Sequence, residues 1–422
     1  MEPVIKPRGS GYKLTWDNGV AVYASRIREN PERLKCEVAI LLNGHGLTRS
    51  SPTLTSESGK DGLIRKLKRR KPVEDWGIDW EIVVEEMAGL IIDRHRLGVS
   101  EVMLADVPDD DTLDWRVEGI MVEKDPTFLF GASGSGKSMF AIFLSVLIDQ
   151  GYVSTDLGLK LKPGKVLYLD WETSETEIAK RTKQIHRGLK LDQPTGIVYQ
   201  RCLQPLAADV DKIIDLVSKY DIDVVICDSL GYATAGLLSK EEEVIPFFGA
   251  LRSINKTALV ISHTNKDDQF FGSNYINASS RMTWEAKGTN TPGDNGLDIS
   301  CFNRKQNNVP PQSPMGWHIE FDDVNGITFG RRDVFETDSA GAMSIPNIIF
   351  EILKREGPQS KDLLLSTIAA YKSKSAETIT GAVEVALTRQ KKAGLIEISN
   401  DEVRLVDKSA PEEEEEGTWE ML

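Results

Sequence analysis

One octapeptide limits this 422-residue chain more than any other segment: Gly131-Ala132-Ser133-Gly134-Ser135-Gly136-Lys137-Ser138. It follows an apolar run at 126–130 and leads into another at 139–148. That order demands a strand, a tight glycine turn and a helix. Glycines let successive backbone N–H groups converge on phosphate oxygens, and a helix N-terminus adds partial positive charge. The spacing predicts Lys137 at the β- and γ-phosphates of a nucleoside triphosphate and the Ser138 hydroxyl on Mg²⁺. Gly131, Ser133, Gly134, Ser135, Gly136 and Met139 complete the expected cradle.

Composition sets wide bounds. Hydrophobic residues make up 40% and charged residues 27%, an ordinary globular balance. The longest apolar stretch, 139–148, is too short to span a bilayer, and no secretory leader is expected, so the reading is a cytoplasmic protein without membrane contact. Cys36, Cys202, Cys227 and Cys301 stand far apart, and the five histidines add no zinc spacing. Net charge is −14, but it is uneven: residues 60–71 carry seven bases and one acid, while 409–422 carry six glutamates and no base. An acidic total therefore does not exclude nucleic acid.

Four regions separate. Residues 1–105 read as a small α+β domain, with strand-like alternation from Tyr12 to Leu42 and helical patterns near 60–70 and at Trp80–Leu97. Asp106–Thr112, with Pro108 and three consecutive acids, reads as a linker. Residues 106–336 alternate apolar strands with helical patterns, the sign of a parallel sheet with crossover helices. The strands are expected at Thr127–Phe130, Val166–Leu169, Ile197–Tyr199, Val224–Cys227 and Ala258–Ile261. Residues 343–408 carry three helical patterns (from Ile345, Lys361–Tyr371 and Glu377–Ala393) followed by a hairpin, a winged-helix pattern. The tail 409–422 is expected to be disordered.

Two acid-ended strands narrow the chemistry. Val224–Asp228 places Asp228 at a strand's carboxyl end, where it either holds Mg²⁺ or caps the next helix. Val166–Asp170 continues through Trp171 to Glu172. Glu172 is assigned as the base that activates water, against a plain acid opening the next helix. Asp170 is assigned to the turn.

These segments resemble RecA-family ATPases, in which the acidic segment after the second strand supplies a glutamate base. Ala258–Lys266, followed by Gly272-Ser273 and Ser279–Trp284, resembles the strand-then-histidine sensor of the plasmid RepA and DnaB-like hexameric helicases, and Val166–Arg181, the Asp228 strand and Gly272–Trp284 together also resemble RecA-like ATPases of phage and mobile elements. The resemblance implies an α/β fold: a RecA-like parallel-sheet ATPase core with ATP and Mg²⁺ as cofactors. It implies His263 as a γ-phosphate sensor, though a core histidine is the plain alternative. Ile299–Asn307 is similar to the late DnaB-type strand whose Lys and Arg reach a neighbour's γ-phosphate. Lys305 matches that lysine. Asn307 stands where the arginine is expected, so the trans-acting residue is Arg304 or Arg281.

In such motors the loops corresponding to 231–243 and 266–281 face DNA, with Lys240 and Lys266 on phosphates and Tyr275 stacked on a base. The implied partners are single-stranded DNA and further copies of the chain, as a hexameric ring or a filament. The basic run 60–71 is a second DNA contact or a solvated face. The acidic tail recruits a replication protein or only solubilises. A helicase or translocase in phage or mobile-element DNA replication is the leading expectation. A recombination or repair ATPase and a nucleotide-gated DNA-binding regulator are the rivals.

Overall fold

The computed structural model describes residues 3–8, 11–69, 77–98, 102–106, 114–234, 236–264, 274–290, 293–307 and 312–406. Most of the expected linker, Lys266, Gly272, Ser273 and the acidic tail lie outside these.

The N-terminal unit is an antiparallel meander: β1 (Val4–Arg8), β2 (Gly11–Thr15), β3 (Val20–Asn30), β4 (Arg33–Leu42) and β5 (His45–Ser50), in that spatial order. Asn43 and Gly44 both take positive φ, as a tight β4–β5 hairpin requires. Alternation puts Leu14, Val22, Val38 and Ile40 on one face, all fully buried. Two helices cover that face: α1 (Glu57–Lys68) through Leu63, Ile64 and Leu67, and α2 (Trp80–Leu97) through Val84, Met87 and Ile91. Each such side chain contributes about 1.5–3 kcal/mol on burial. Ser56 caps α1 and Asp79 caps α2, each accepting backbone N–H bonds.

A short ribbon, β6 (Trp115–Val117) with β7 (Met121–Val122), precedes the main sheet. The chain then runs through β8 (Pro126–Gly131), α3 (Lys137–Gln150), β9 (Val166–Asp170), α4 (Glu175–Gly188) and β10 (Val198–Arg201). It continues with α5 (Leu206–Tyr220), β11 (Val224–Asp228), α6 (Leu230–Ala233), α7 (Glu241–Ile254) and β12 (Thr257–His263). After α8 (Asn274–Ser279) come β13 (Met282–Thr289), β14 (Gly296–Gln306), β15 (Met315–Asp322) and β16 (Gly326–Arg332). Nine strands form one sheet in the order β10-β9-β11-β12-β8-β13-β14-β15-β16.

The five strands expected from the sequence all form and are parallel, and β13 joins them in parallel beside β8. β14 to β16 are antiparallel, an extension the expected all-parallel core lacked. The parallel strands read as unbroken apolar runs because both faces are covered. Val166, Tyr168, Val224 and Ile226 face α3 and α4; their neighbours Leu167, Leu169, Val225 and Cys227 face α5 and α7. The antiparallel strands curl against the α3 side. Phe143 stacks on Phe329 at 3.7 Å, and a Cβ on Gly188 would lie 2.0 Å from the Ile327 carbonyl oxygen.

The C-terminal unit comprises α9 (Ile345–Glu356), β17 (Gln359–Ser360), α10 (Lys361–Tyr371), α11 (Ala376–Lys392), β18 (Ile396–Ser399) and β19 (Glu402–Leu405). Its strands form a three-stranded sheet ordered β17-β19-β18, one strand more than the expected hairpin. Its core includes Phe302 of β14 and Val334, and Arg355 pairs with Asp333 at 2.5 Å, so it docks directly on the sheet. All four cysteines are free and buried, and burial pushes their thiols up. No described helix is long and apolar enough to cross a membrane.

Candidate functional site

Parallel register brings four strand ends to one edge. His263 lies opposite Gly131, and Asp228 opposite Asp170. Gly131 opens the loop, which ends at Gly136 as the N-cap of α3. Gly134 and Gly136 have φ of 79° and 85°. A Cβ on Gly131 would sit 2.2 Å from the Ala286 carbonyl oxygen, so only glycine fits there.

Lys137 is 3% exposed. Its Nζ donates to the carbonyls of Gly131 (2.8 Å) and Ala132 (2.6 Å) and to Ser135 Oγ (3.3 Å). Burial lowers its pKa to about 8, against the opposing pull of Asp228 and Glu172.

Asp228 is nearly as buried, and burial raises its pKa. The Tyr168 hydroxyl donates to its Oδ2 at 2.7 Å, and Ser138 hydrogen-bonds it as well. The peptide bond from Asp228 to Ser229 is cis. Glu172 Oε1 accepts a hydrogen bond from Ser229 Oγ and lies 3.3 Å from His263 Nε2. His263 chiefly holds the Glu172 carboxyl below its ordinary pKa, with burial opposing and Ser229 and Lys137 assisting.

Asp170, 1% exposed, is saturated by the turn it braces. Its Oδ1 accepts from the backbone N–H of Glu172 (2.8 Å) and Thr173 (2.9 Å). Its Oδ2 accepts from Thr173 Oγ1 (2.8 Å) and Tyr199 (2.9 Å). Asp170 thus aims Glu172 and is itself spent. Tyr168 and Ser229 have site contacts that the sequence reading did not assign. A hydroxyl directly after the strand-ending acid was the available sign for Ser229; Tyr168 carried none, because it looks like one more core residue.

The chemistry fits Mg²⁺ and a triphosphate. Ser138 and Asp228 present paired oxygen donors at the helix N-terminus, and Mg²⁺ takes few protein ligands, completing its shell with water and phosphate. No group of three or more His, Cys, Asp or Glu with metal-binding geometry occurs among the described residues, as that mode allows. His263 Nδ1 and Ser262 Oγ are buried beside the site without hydrogen-bond partners among those residues.

Of the other assigned residues, Arg281 and Lys305 lie toward the far end of their strands, whereas both partners of Arg304, Glu285 and Ala342, line the cleft beside the loop. Arg281 donates its backbone N–H to Pro126, at the amino end of β8, and its side chain meets Asp125 at 3.2 Å. Five residue steps, about 16 Å, separate Pro126 from Gly131. Lys305 pairs in register with Thr283 at the same end and donates to the carbonyls of Ser280 (2.9 Å) and Asn277. Arg304 is bound to Glu285 at 2.6 and 2.7 Å and to the Ala342 carbonyl at 3.1 Å. Exposed Lys240 stands 3.9 Å from Glu242. Beside the loop, a cleft of about 710 Å³ opens between Ala132–Ser135 and Tyr371–Ser373 of the C-terminal unit.

A family described as an AAA domain matches residues 96–269, the segment that carries the loop, Glu172, Asp228 and His263. No curated protein sequence matches the chain. Among solved structures, a KaiC-like protein of Pyrococcus horikoshii OT3 is similar at 15% identity over 55% of this chain and 99% of that one, with a TM-score of 0.37. The flagellar accessory protein FlaH of Methanocaldococcus jannaschii is similar at 16% identity over 50% and 91%, with a TM-score of 0.35. The matched segment carries the glycine loop and the strands that end at Asp170, Asp228 and His263, with β12 between the loop strand and the Asp228 strand, so this part of the chain is similar to AAA-domain P-loop ATPases.

Proposed function

We propose that the protein is an Mg²⁺- and ATP-dependent DNA motor of the RecA, RepA and DnaB kind, a ring helicase or translocase serving phage or mobile-element DNA replication in the cytoplasm. The observation that carries this is the convergence of Lys137, Ser138, Asp228, Glu172 and His263 on one sheet edge.

Mg²⁺, when bound, would neutralise phosphate charge, and Ser138 and Asp228 would hold it. Lys137 exchanges its carbonyl partners for β- and γ-phosphate oxygens, and the loop N–H groups take the rest. Glu172, ionised at neutral pH, orients a water and accepts its proton. While His263 pairs with Glu172, the base is weakened. A γ-phosphate that draws His263 away restores it, which is the sensor role.

Arg281, 47% exposed, sits at the amino edge of the sheet, opposite the nucleotide edge. A head-to-tail assembly sets one chain's amino edge on the next chain's carboxyl edge and brings Arg281 to a neighbour's phosphate. Arg281 has one surface ion pair, to Asp125, whereas Arg304 is held by both Glu285 and the Ala342 carbonyl and Lys305 by two carbonyls, so Arg281 is the better trans residue. The same stacking yields a closed ring or an open filament. The C-terminal helices and sheet serve as a winged-helix contact for DNA or protein, and the acidic tail as a site for a replication protein.

The deciding experiment is the ATPase rate with and without single-stranded DNA. Stimulation on a chain that forms rings, with strand displacement from a fork, supports the helicase. Hydrolysis indifferent to DNA sinks the motor.

A further inference from the structure

Tyr168 is the middle residue of β9 and is 1% exposed. Packing alone asks for an apolar residue there, since Val166, Val224 and Ile226 on the same sheet face belong to the core beneath α3 and α4. A hydroxyl so deep destabilises the fold unless it is hydrogen-bonded. Its partner is Asp228, whose Oδ2 accepts from the phenol at 2.7 Å. Register explains the reach. Tyr168 pairs with Ile226, two residues before Asp228 and therefore on the same face of β11, so an aromatic side chain that leans along the strand spans to the carboxylate.

The Asp228 side chain, 4% exposed, has hydroxyl partners from two elements, Tyr168 of β9 and Ser138 of α3. No cationic side chain among the described residues forms an ion pair with it. Lys137 Nζ, the nearest candidate, directs its donors to the carbonyls of Gly131 and Ala132 and to Ser135. A buried carboxylate held by hydroxyls and lacking a paired side chain is a ligand for a small cation, and its outer partner fixes how it faces that cation.

We infer that Tyr168 is a positioning residue for Mg²⁺: its hydroxyl holds Asp228 Oδ2 and so keeps the carboxylate turned to Ser138, the other oxygen donor. This role rests on the Mg²⁺ and ATP reading above and adds the residue that orders the metal's ligands. Tyr199 is the natural contrast. Its hydroxyl also donates to a strand-ending acid, Asp170 Oδ2 at 2.9 Å, but that acid braces the Glu172 turn.

The test is the affinity of a fluorescent ATP analogue in excess Mg²⁺ and in EDTA, for the parent, Tyr168→Phe and Tyr199→Phe. Phenylalanine keeps the ring and its packing and removes one hydroxyl. The ratio of the two affinities reads the metal's part in binding without any turnover. In Tyr168→Phe the ratio should fall about tenfold or more with the EDTA affinity unchanged, because lost outer contacts weaken metal sites by about 10–100-fold. Tyr199→Phe should keep the parent ratio. A parent ratio in Tyr168→Phe overturns the role, including the case in which both affinities drop alike, as they would for a merely structural tyrosine. An equal fall in Tyr199→Phe overturns it too, since the effect would then belong to the sheet edge at large. The underlying reading fails differently: a parent that binds the analogue equally well in Mg²⁺ and in EDTA sinks the metal assignment of Ser138 and Asp228 themselves, and a parent that does not bind it sinks the nucleotide site.

Discussion

His263 Nε2 lies 3.3 Å from Glu172 Oε1, bridging the ends of two strands that are not adjacent in the sheet. The contact ties the sensor position to the base, and it lowers the carboxyl pKa that hydrolysis depends on. Replacing His263 by Ala removes the largest cause of that lowering. Glu172 then titrates at higher pH in the free enzyme, and the acid limb of the kcat/KM profile should move upward. An acid limb in its original place would separate His263 from the base.

Glu172→Gln keeps the turn held by Asp170 but cannot accept a proton. Hydrolysis should fall by about 10²–10⁴-fold, while affinity for a fluorescent ATP analogue changes little. A variant that turns over at the parent rate would remove Glu172 from its assigned role.

Lys137, with its pKa lowered to about 8, is partly deprotonated in mildly alkaline buffer. Phosphate oxygens favour the charged amine, so ATP binding at pH 8–9 should take up a proton. Affinity should then decline about tenfold per pH unit above 8, levelling off once the pKa of the bound form is passed. Calorimetry in buffers of different ionisation enthalpy reads the uptake directly. Binding without proton exchange at pH 8.5 would contradict it.

Arg281→Ala and Lys137→Ala should each be inactive alone. If Arg281 acts across a subunit boundary, mixing the two recovers part of the rate, because some interfaces pair an intact loop with an intact arginine. A mixture as inactive as its parts would place the arginine's role within its own chain.

Phe143 stacks on Phe329 at 3.7 Å inside the main core. Phe143→Ala should cost about 3–5 kcal/mol and lower the Tm accordingly. A shift of a degree or less would mean that the α3–β16 packing is not stabilising.

Local chemistry was legible along the chain. The glycine spacing specified the loop, and the apolar runs ending in Asp170 and Asp228 specified parallel strands buried on both faces. Ser360, Tyr371 and Gly357 marked C-terminal helix ends to within a residue or so. Those features depend on φ, capping and period, which neighbouring residues set. The antiparallel β14–β16 were not legible as such, since pairing direction depends on where a strand lands and not on its own composition. Nor was the pairing of Lys60 and Lys68 of α1 with Glu85 and Glu81 of α2.

By itself the amino-acid order determined which segments become strand, helix and phosphate loop, because hydrophobic period and glycine geometry act over a few residues. Only the folded chain decided that Tyr168 and Ser229 reach the site carboxylates, that His263 meets Glu172, and that Arg281 sits at the opposite edge of the sheet from its own loop. Each of those facts is a juxtaposition of residues distant in sequence, created by sheet register and by which faces the helices cover.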